Sequence, residues 1–247
     1  MSLIKSTAEI ATLRIAGKYL KEVLDLTTQI AIPGAILQDI DTQIKIWILE
    51  RGCTPSFLGH EGFPGSSCLS VNDEVVHGIP DERILQEGDI LGIDAGLWLH
   101  NLCVDSAVTV GVGKISPQAQ ALLDDTQAAL SAGVKAIKPF RTRVGAISTA
   151  VQEVAEAKNR GIVRTLTGHG VGHKVWESPD IPNFGKVSDG IPLRPGMVLA
   201  IEPMLTAGGS EVYTDIDGWT VITVDHSLAA QFEHTIVITQ KGAEIIV

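Results

Sequence analysis

The 247-residue chain has few cysteines, few positive charges and no long apolar run, and each shortage excludes something. Cys53, Cys68 and Cys103 are odd in number and have no paired spacing. They predict free thiols in a reducing compartment, not a disulfide framework. Lys and Arg number 19 against 29 Asp and Glu, a formal net charge of −10. That balance offers no basic footprint for nucleic acid, and an anionic membrane surface would repel it. No apolar stretch reaches the roughly 18 residues that a membrane span needs. The opening MSLIKSTAEIATLR lacks the charged start, apolar run and cleavage site of a signal peptide, so a cytoplasmic location is expected. Low-complexity segments and flexible linkers are also missing. With 45% apolar and 19% charged residues, the chain reads as globular, built around one shared core.

The pattern that is present repeats. Ser6 and Glu9 form an S-x-x-E capping box, and Ile10, Leu13, Leu20 and Leu24 recur at helical spacing until Pro33-Gly34. A second helix is predicted over 39–51, closed by Gly52. Short β-like runs follow: CTPSFLG, SSCLSVN, ILGIDAG and VDSAVTVGV. Ser116-Pro117 then starts a helix to about Lys138, and another is predicted from Val144 to Asn159. IVRTLTG, MVLAIEPML, GWTVITV and QFEHTIVITQKG come after it. Two helices and then several strands, twice over, predict two similar halves of about 1–113 and 114–247. Strand following strand, without βαβ alternation, predicts an α+β fold of mainly antiparallel sheet backed by helices.

The segment GDILGIDAGLWLHNLCVDSAVTVGVG is almost wholly apolar, yet it carries Asp94 and Asp105. An unpaired buried carboxylate costs several kcal/mol or shifts its pKa until it is neutral. Folded as a hairpin turning near Leu99-His100, the segment sets the two aspartates opposite each other on one face. Two carboxylates that close need a cation between them, and a metal pair suits them. The same pattern also fits one turn aspartate and one solvated edge aspartate. The second half adds His169 among the glycines of TGHGVGH, Glu202 at the end of an apolar run before Pro203, and Glu233 inside AQFEHTIVIT. Asp94, Asp105, His169, Glu202 and Glu233 have no Lys or Arg beside them in sequence. Four carboxylates and one imidazole match two hard or borderline divalent metals, and the lack of a thiolate argues against structural zinc.

The stretches PSFLGHEGFPGSSCLSVNDEVVHGIP, GDILGIDAG, VDSAVTV, GHGVG, LRPGMVLAIEPM, DGWTV and QFEHTIVIT, in that order, resemble the type I methionine aminopeptidases over nearly the whole chain. The resemblance implies the pita-bread fold, two pseudo-symmetric halves around a dinuclear metal site in one catalytic domain, 1–247. It places the five metal ligands on Asp94, Asp105, His169, Glu202 and Glu233, holding two divalent ions of Co, Mn, Fe, Mg or Zn. It makes His77, in VVHGIP, a catalytic and substrate-binding residue, and Glu202 a proton shuttle as well as a ligand. It lines the pocket for the first side chain with Phe57, His60, Phe63, Cys68, Val175 and Trp219. The activity implied is metal-dependent removal of the initiator methionine from nascent polypeptides, favouring a small second residue. The enzyme would be a cytoplasmic monomer associated with the ribosome, and its own Met1-Ser2 start would be a substrate.

One position departs from the family pattern. In HGVGHKVWESPDIPNFG, Trp176 stands where a second active-site histidine is usual. An indole N–H can still donate a hydrogen bond to the substrate but cannot carry a proton. His173 replacing it, or an indole that reshapes the pocket, are the other readings. GHGVGH also looks like a phosphate loop, but the run after it has two prolines and no helical period, which excludes a nucleotide site. His100, His226 and His234 read as turn or packing residues. Two competing functions share the fold: a proline-directed aminopeptidase or dipeptidase, and a catalytically weakened peptide-binding homologue.

Overall fold

The computed structural model describes residues 3–247, so the Met1-Ser2 start lies outside the described residues. Helix α1 spans Thr7–Ile30. The Ser6 hydroxyl accepts from the Glu9 N–H and the Glu9 carboxylate accepts from the Ser6 N–H, so the capping box is closed. Its buried face carries Leu13, Leu20, Val23 and Leu24. Gly17 belongs to that face because Ile246 crosses it, and a Cβ there would overlap Ile246. Helix α2, Leu37–Glu50, buries Leu37, Ile40, Ile44 and Ile48. Five strands follow: β1 (Thr54–Pro55), β2 (Ser67–Val71), β3 (Glu74–Val76), β4 (Ile90–Leu99) and β5 (Leu102–Gly111). Strand β4 is the spine of this half. It pairs with β5 along its whole length on one edge, and with β2 and then β1 on the other, all antiparallel.

The pattern then restarts. The Ser116 hydroxyl caps α3, Pro117–Lys135, with Pro117 in the first turn. Helix α4 spans Val144–Ala157. After it come β6 (Gly161–Ile162), β7 (Thr167–Gly170), β8 (Glu177–Pro182), β9 (Val198–Ile201), β10 (Met204–Thr206), β11 (Val212–Thr214), β12 (Val221–Thr223), β13 (Ala229–Gln231), β14 (His234–Ile238) and β15 (Ala243–Ile245). Strands β15-β14-β9-β7-β8 form one antiparallel sheet. A three-stranded sheet runs β13-β10-β6, and another, β11-β12-β3, borrows β3 from the first half. The architecture is α+β with antiparallel sheets and four helices, as predicted. Strands β3, β8, β11 and β15 escape the sequence reading. Strand β8 contains Pro179 and Pro182, which an edge strand tolerates, and it lies at the edge of its sheet.

The β4–β5 hairpin corrects the predicted register. Its turn is His100-Asn101, both with positive φ (50° and 63°), one residue later than expected. Two left-handed residues make the tight turn whose twist matches a hairpin. Asp94 therefore pairs with Ala107, and Asp105 with Gly96. The two aspartates keep one face but sit diagonally instead of directly opposed. Gly96 leaves room for its partner: a Cβ there would overlap Ser56 Oγ and crowd the Asp105 carboxylate.

Across the halves, β5 is stitched to the 231–235 stretch by side chains. Ser106 Oγ donates to the Glu233 carbonyl (2.7 Å) and Thr109 Oγ1 to the Gln231 carbonyl (2.7 Å). Thr235 Oγ1 donates to the Asp105 carbonyl (2.6 Å) and accepts from the Asp105 N–H (3.1 Å). The Glu233 N–H donates to the Ala107 carbonyl (2.9 Å). This seam brings Asp105 and Glu233 together.

Candidate metal centre

Strands β4, β5, β7 and β9 and the β13–β14 connection deliver the five predicted ligands to one place. Asp94 and Asp105 come from the hairpin and His169 from β7. Glu202 follows the last residue of β9, and Glu233 lies between β13 and β14. Ligand atoms of Asp105, His169 and Glu233 all lie within 4.8 Å of one another. His169 Nε2 is 3.4 Å from Glu202 Oε1 and 3.9 Å from Asp105 Oδ2. Asp94 sits diagonally from Asp105 on the same face of the hairpin, and its charge adds to burial in raising the Asp105 pKa.

Electrostatics favour a cation here. Burial pushes Asp94 up to about 7. Burial, reinforced by the neighbouring carboxylates, raises Asp105, Glu202 and Glu233 well above the usual range. Burial lowers His169 to about 4, so its ring is neutral at pH 7. His169 Nδ1 lies 2.9 Å from the Gly170 carbonyl, which can only accept. The proton is therefore on Nδ1, and the Nε2 lone pair faces the carboxylates. Asp94 Oδ1, Asp105 Oδ1 and Glu233 Oε1 are buried without a hydrogen-bond partner. Orphaned buried oxygens beside a neutral imidazole are the donor set of a hard or borderline divalent metal, so these residues fit such an ion. Cys68 borders the site, but burial, with Asp94 adding to it, holds its thiol well above the ordinary value and so protonated.

The five candidate ligands line a cavity of about 290 Å³. Phe57, His60, Phe63, Cys68, His77, Trp176 and Trp219 line it as well. Phe63 and Trp219 meet edge to face at 5.2 Å. Asp217 shapes the turn that presents Trp219, accepting from the N–H groups of Trp219 (2.7 Å) and Thr220 (2.9 Å). The Trp176 ring stands edge to face with His60 at 4.9 Å, and 6.4 Å from both His77 and His169. His77 follows β3 with φ +60°, a left-handed conformation that aims the ring into the cavity, and burial lowers its pKa.

One expectation is corrected and one alternative falls away. Val175 is 1% exposed and packs in the core under α1 and α2 instead of lining the cavity. His173 does not swing in beside Trp176: its Nε2 lies 2.6 Å from Glu9 Oε1. His100 is in the hairpin turn, His226 pairs with Asp73 (2.7 Å) at the surface, and His234 Nδ1 donates to the Val247 carbonyl (3.0 Å). Sequence reasoning missed the residues that orient the ligands. Gln231 Nε2 donates to Glu202 Oε2 (3.2 Å), and Asn183 Nδ2 donates to the Glu202 carbonyl (3.0 Å). Gln231 was hinted at by its place in a β-like run two residues before Glu233, while Asn183 carried no signal. Thr165, Thr167, Asp180 and Met204, which also line the cavity, carried no signal.

A family model described as metallopeptidase family M24 matches residues 11–240. The chain belongs to metallopeptidase family M24. It is a metal-dependent peptidase. This M24 chain is 42% identical to the methionine aminopeptidase of Clostridium perfringens, over 100% of its own length and 98% of the relative's. It is also 42% identical to methionine aminopeptidase 1 of Bacillus subtilis, over 100% and 99%. The crystal structure of methionine aminopeptidase from Thermotoga maritima superposes with a TM-score of 0.96 at 40% identity, covering 98% of each chain. The fold is therefore the pita-bread fold of those enzymes, and no helix among the described residues is long and apolar enough to cross a membrane.

Proposed function

We propose that this M24 peptidase removes the N-terminal methionine from nascent polypeptides in the cytoplasm, acting as a monomer and favouring a small second residue. The observation that carries the reading is the buried cluster of carboxylates with orphaned oxygens beneath an aromatic cavity. Asp94, Asp105, His169, Glu202 and Glu233 would hold two divalent cations. Bound there, such ions supply a water of lowered pKa and polarise the substrate carbonyl. Glu202, steadied by Gln231, takes the proton from the attacking water and passes it to the leaving amine as the amide C–N bond breaks. His77, neutral at pH 7, hydrogen-bonds the scissile amide. The Trp176 indole N–H donates towards the carbonyl oxygen as charge develops on it. Phe63, Cys68 and Trp219 form a soft apolar pocket for the methionine thioether, which gains from sulfur–aromatic contact.

The experiment is hydrolysis by chelator-stripped protein given Mn or Co. Methionine released from Met-Ala-Ser, with Ala-Pro-Ala untouched, is the expected result. Cleavage of the proline peptide would favour the proline-directed activity instead. Failure to bind metal, with neither peptide cleaved, would favour the peptide-binding homologue, whereas metal binding without cleavage would mean that Trp176 has changed the chemistry or the substrate.

A further inference from the structure

The loop that carries Trp176 is held by a segment outside its own sheet. Glu177, the next residue, takes a 2.7 Å salt bridge from Lys5 Nζ to its Oε2. Only 1% of the Lys5 side chain and 8% of the Glu177 side chain are exposed. Glu177 Oε1 accepts from the N–H groups of His173 and Lys174. One turn into α1, Glu9 Oε1 meets His173 Nε2 at 2.6 Å. Lys5 and Glu9 thus grip Glu177, next to Trp176, and His173, three residues before it. Lys5 is itself fixed, since its N–H donates to the Gly196 carbonyl (2.8 Å). The loop closes directly on the lysine stem: Gly172 has φ +137°, and a Cβ there would overlap Lys5 Cε.

A buried ion pair seldom stabilises a fold more than an apolar pair of the same volume would, because both charges lose their water. What it does supply is a defined position. Trp176 needs one: the residue is 40% exposed, and its ring meets His60 and His169 edge-on and His77 at a tilt. We propose that Lys5 is a positioning residue for peptide hydrolysis. Its pair with Glu177 fixes the 172–177 loop so that the indole stays over His60 and His77. This inference rests on the reading of Trp176 as a substrate-facing donor.

The test compares metal-loaded wild type with Lys5→Met, Lys5→Met/Glu177→Gln, Trp176→Ala and the triple variant. Thermal midpoint and kcat/KM on Met-Ala-Ser are measured for each. Lys5→Met leaves a buried carboxylate unpaired and lowers both. The double variant removes both charges, so its midpoint returns towards wild type while kcat/KM stays lower by about 10-fold or more. In the Trp176→Ala background the same pair of changes alters kcat/KM by less than about twofold, because the residue it positions is gone. A double variant that regains kcat/KM together with its midpoint overturns the proposal, as does an equal fold-loss with and without Trp176. Trp176→Ala at wild-type activity overturns the reading of Trp176, and this inference with it. A weakened Trp176→Ala beside a fully active double variant overturns this inference alone.

Discussion

His77 and Trp176 line the same cavity, and single substitutions separate the roles proposed for them. His77→Asn keeps a residue that accepts φ +60° but removes the imidazole. It should lower kcat by about 10²-fold or more while metal affinity, measured by calorimetry, stays unchanged. Trp176→Phe keeps an aromatic ring at the position that meets His60 and removes the indole N–H together with the pyrrole ring that carries it. If that N–H faces the developing oxyanion, kcat falls by about 10²–10³-fold with little change in KM. Trp176→His should raise activity, and an unchanged rate and first-residue preference would mean the position matters less than the donor role requires. The ligand residues were legible because acids inside apolar runs are costly enough to stand out. Lys5 was not, since a lysine near a helix start looks solvated until its partner 172 residues away is placed beside it.

At the scale of the element, the seam between β5 and the 231–235 stretch decides whether Asp105 and Glu233 share a site. Thr235→Val is nearly isosteric, but it strips the hydroxyl that both donates to and accepts from the Asp105 backbone. It should cost about 1–3 kcal/mol in urea unfolding. It should also weaken metal binding by about 10–100-fold through a misplaced Asp105. Helices α1 and α3 were legible at this scale because their caps are local: Ser6 with Glu9, and Ser116 with Pro117, read directly from spacing. The hairpin was legible in existence but not in register. Its turn carries no glycine to mark the left-handed pair, so His100-Asn101 could be placed one residue early. Strand β8 was hidden by its prolines, and the seam joins residues 130 apart, which no periodicity reveals.

For the whole molecule, the buried acids link stability to pH and to metal. Asp94 titrates at about 7 in the fold, against about 3.9 in an unfolded chain, and Asp105, Glu202 and Glu233 are also raised. The folded state then binds more protons than the unfolded one. Without metal, stability should be greatest below about pH 4 for these groups and decline as pH rises towards 7. Divalent metal replaces those protons, so its addition should release protons and raise the thermal midpoint most near neutral pH. Glu9 works in the opposite sense. The His173 hydrogen bond holds it near 2, so the strength of its contact is present above the usual carboxylate range and lost as pH falls towards 2. Thermal scans from pH 3 to 8, with chelator and with Mn, separate the two trends.

The central claim is that these five side chains make a metal site on which peptide cleavage depends. Calorimetric titration of chelator-stripped protein with Mn, with methionine release assayed on the same samples, tests it most directly. Two saturable sites, release that rises as they fill, and loss of both in Glu233→Gln are the predicted result. Undiminished methionine release from protein that binds no divalent metal would contradict the claim.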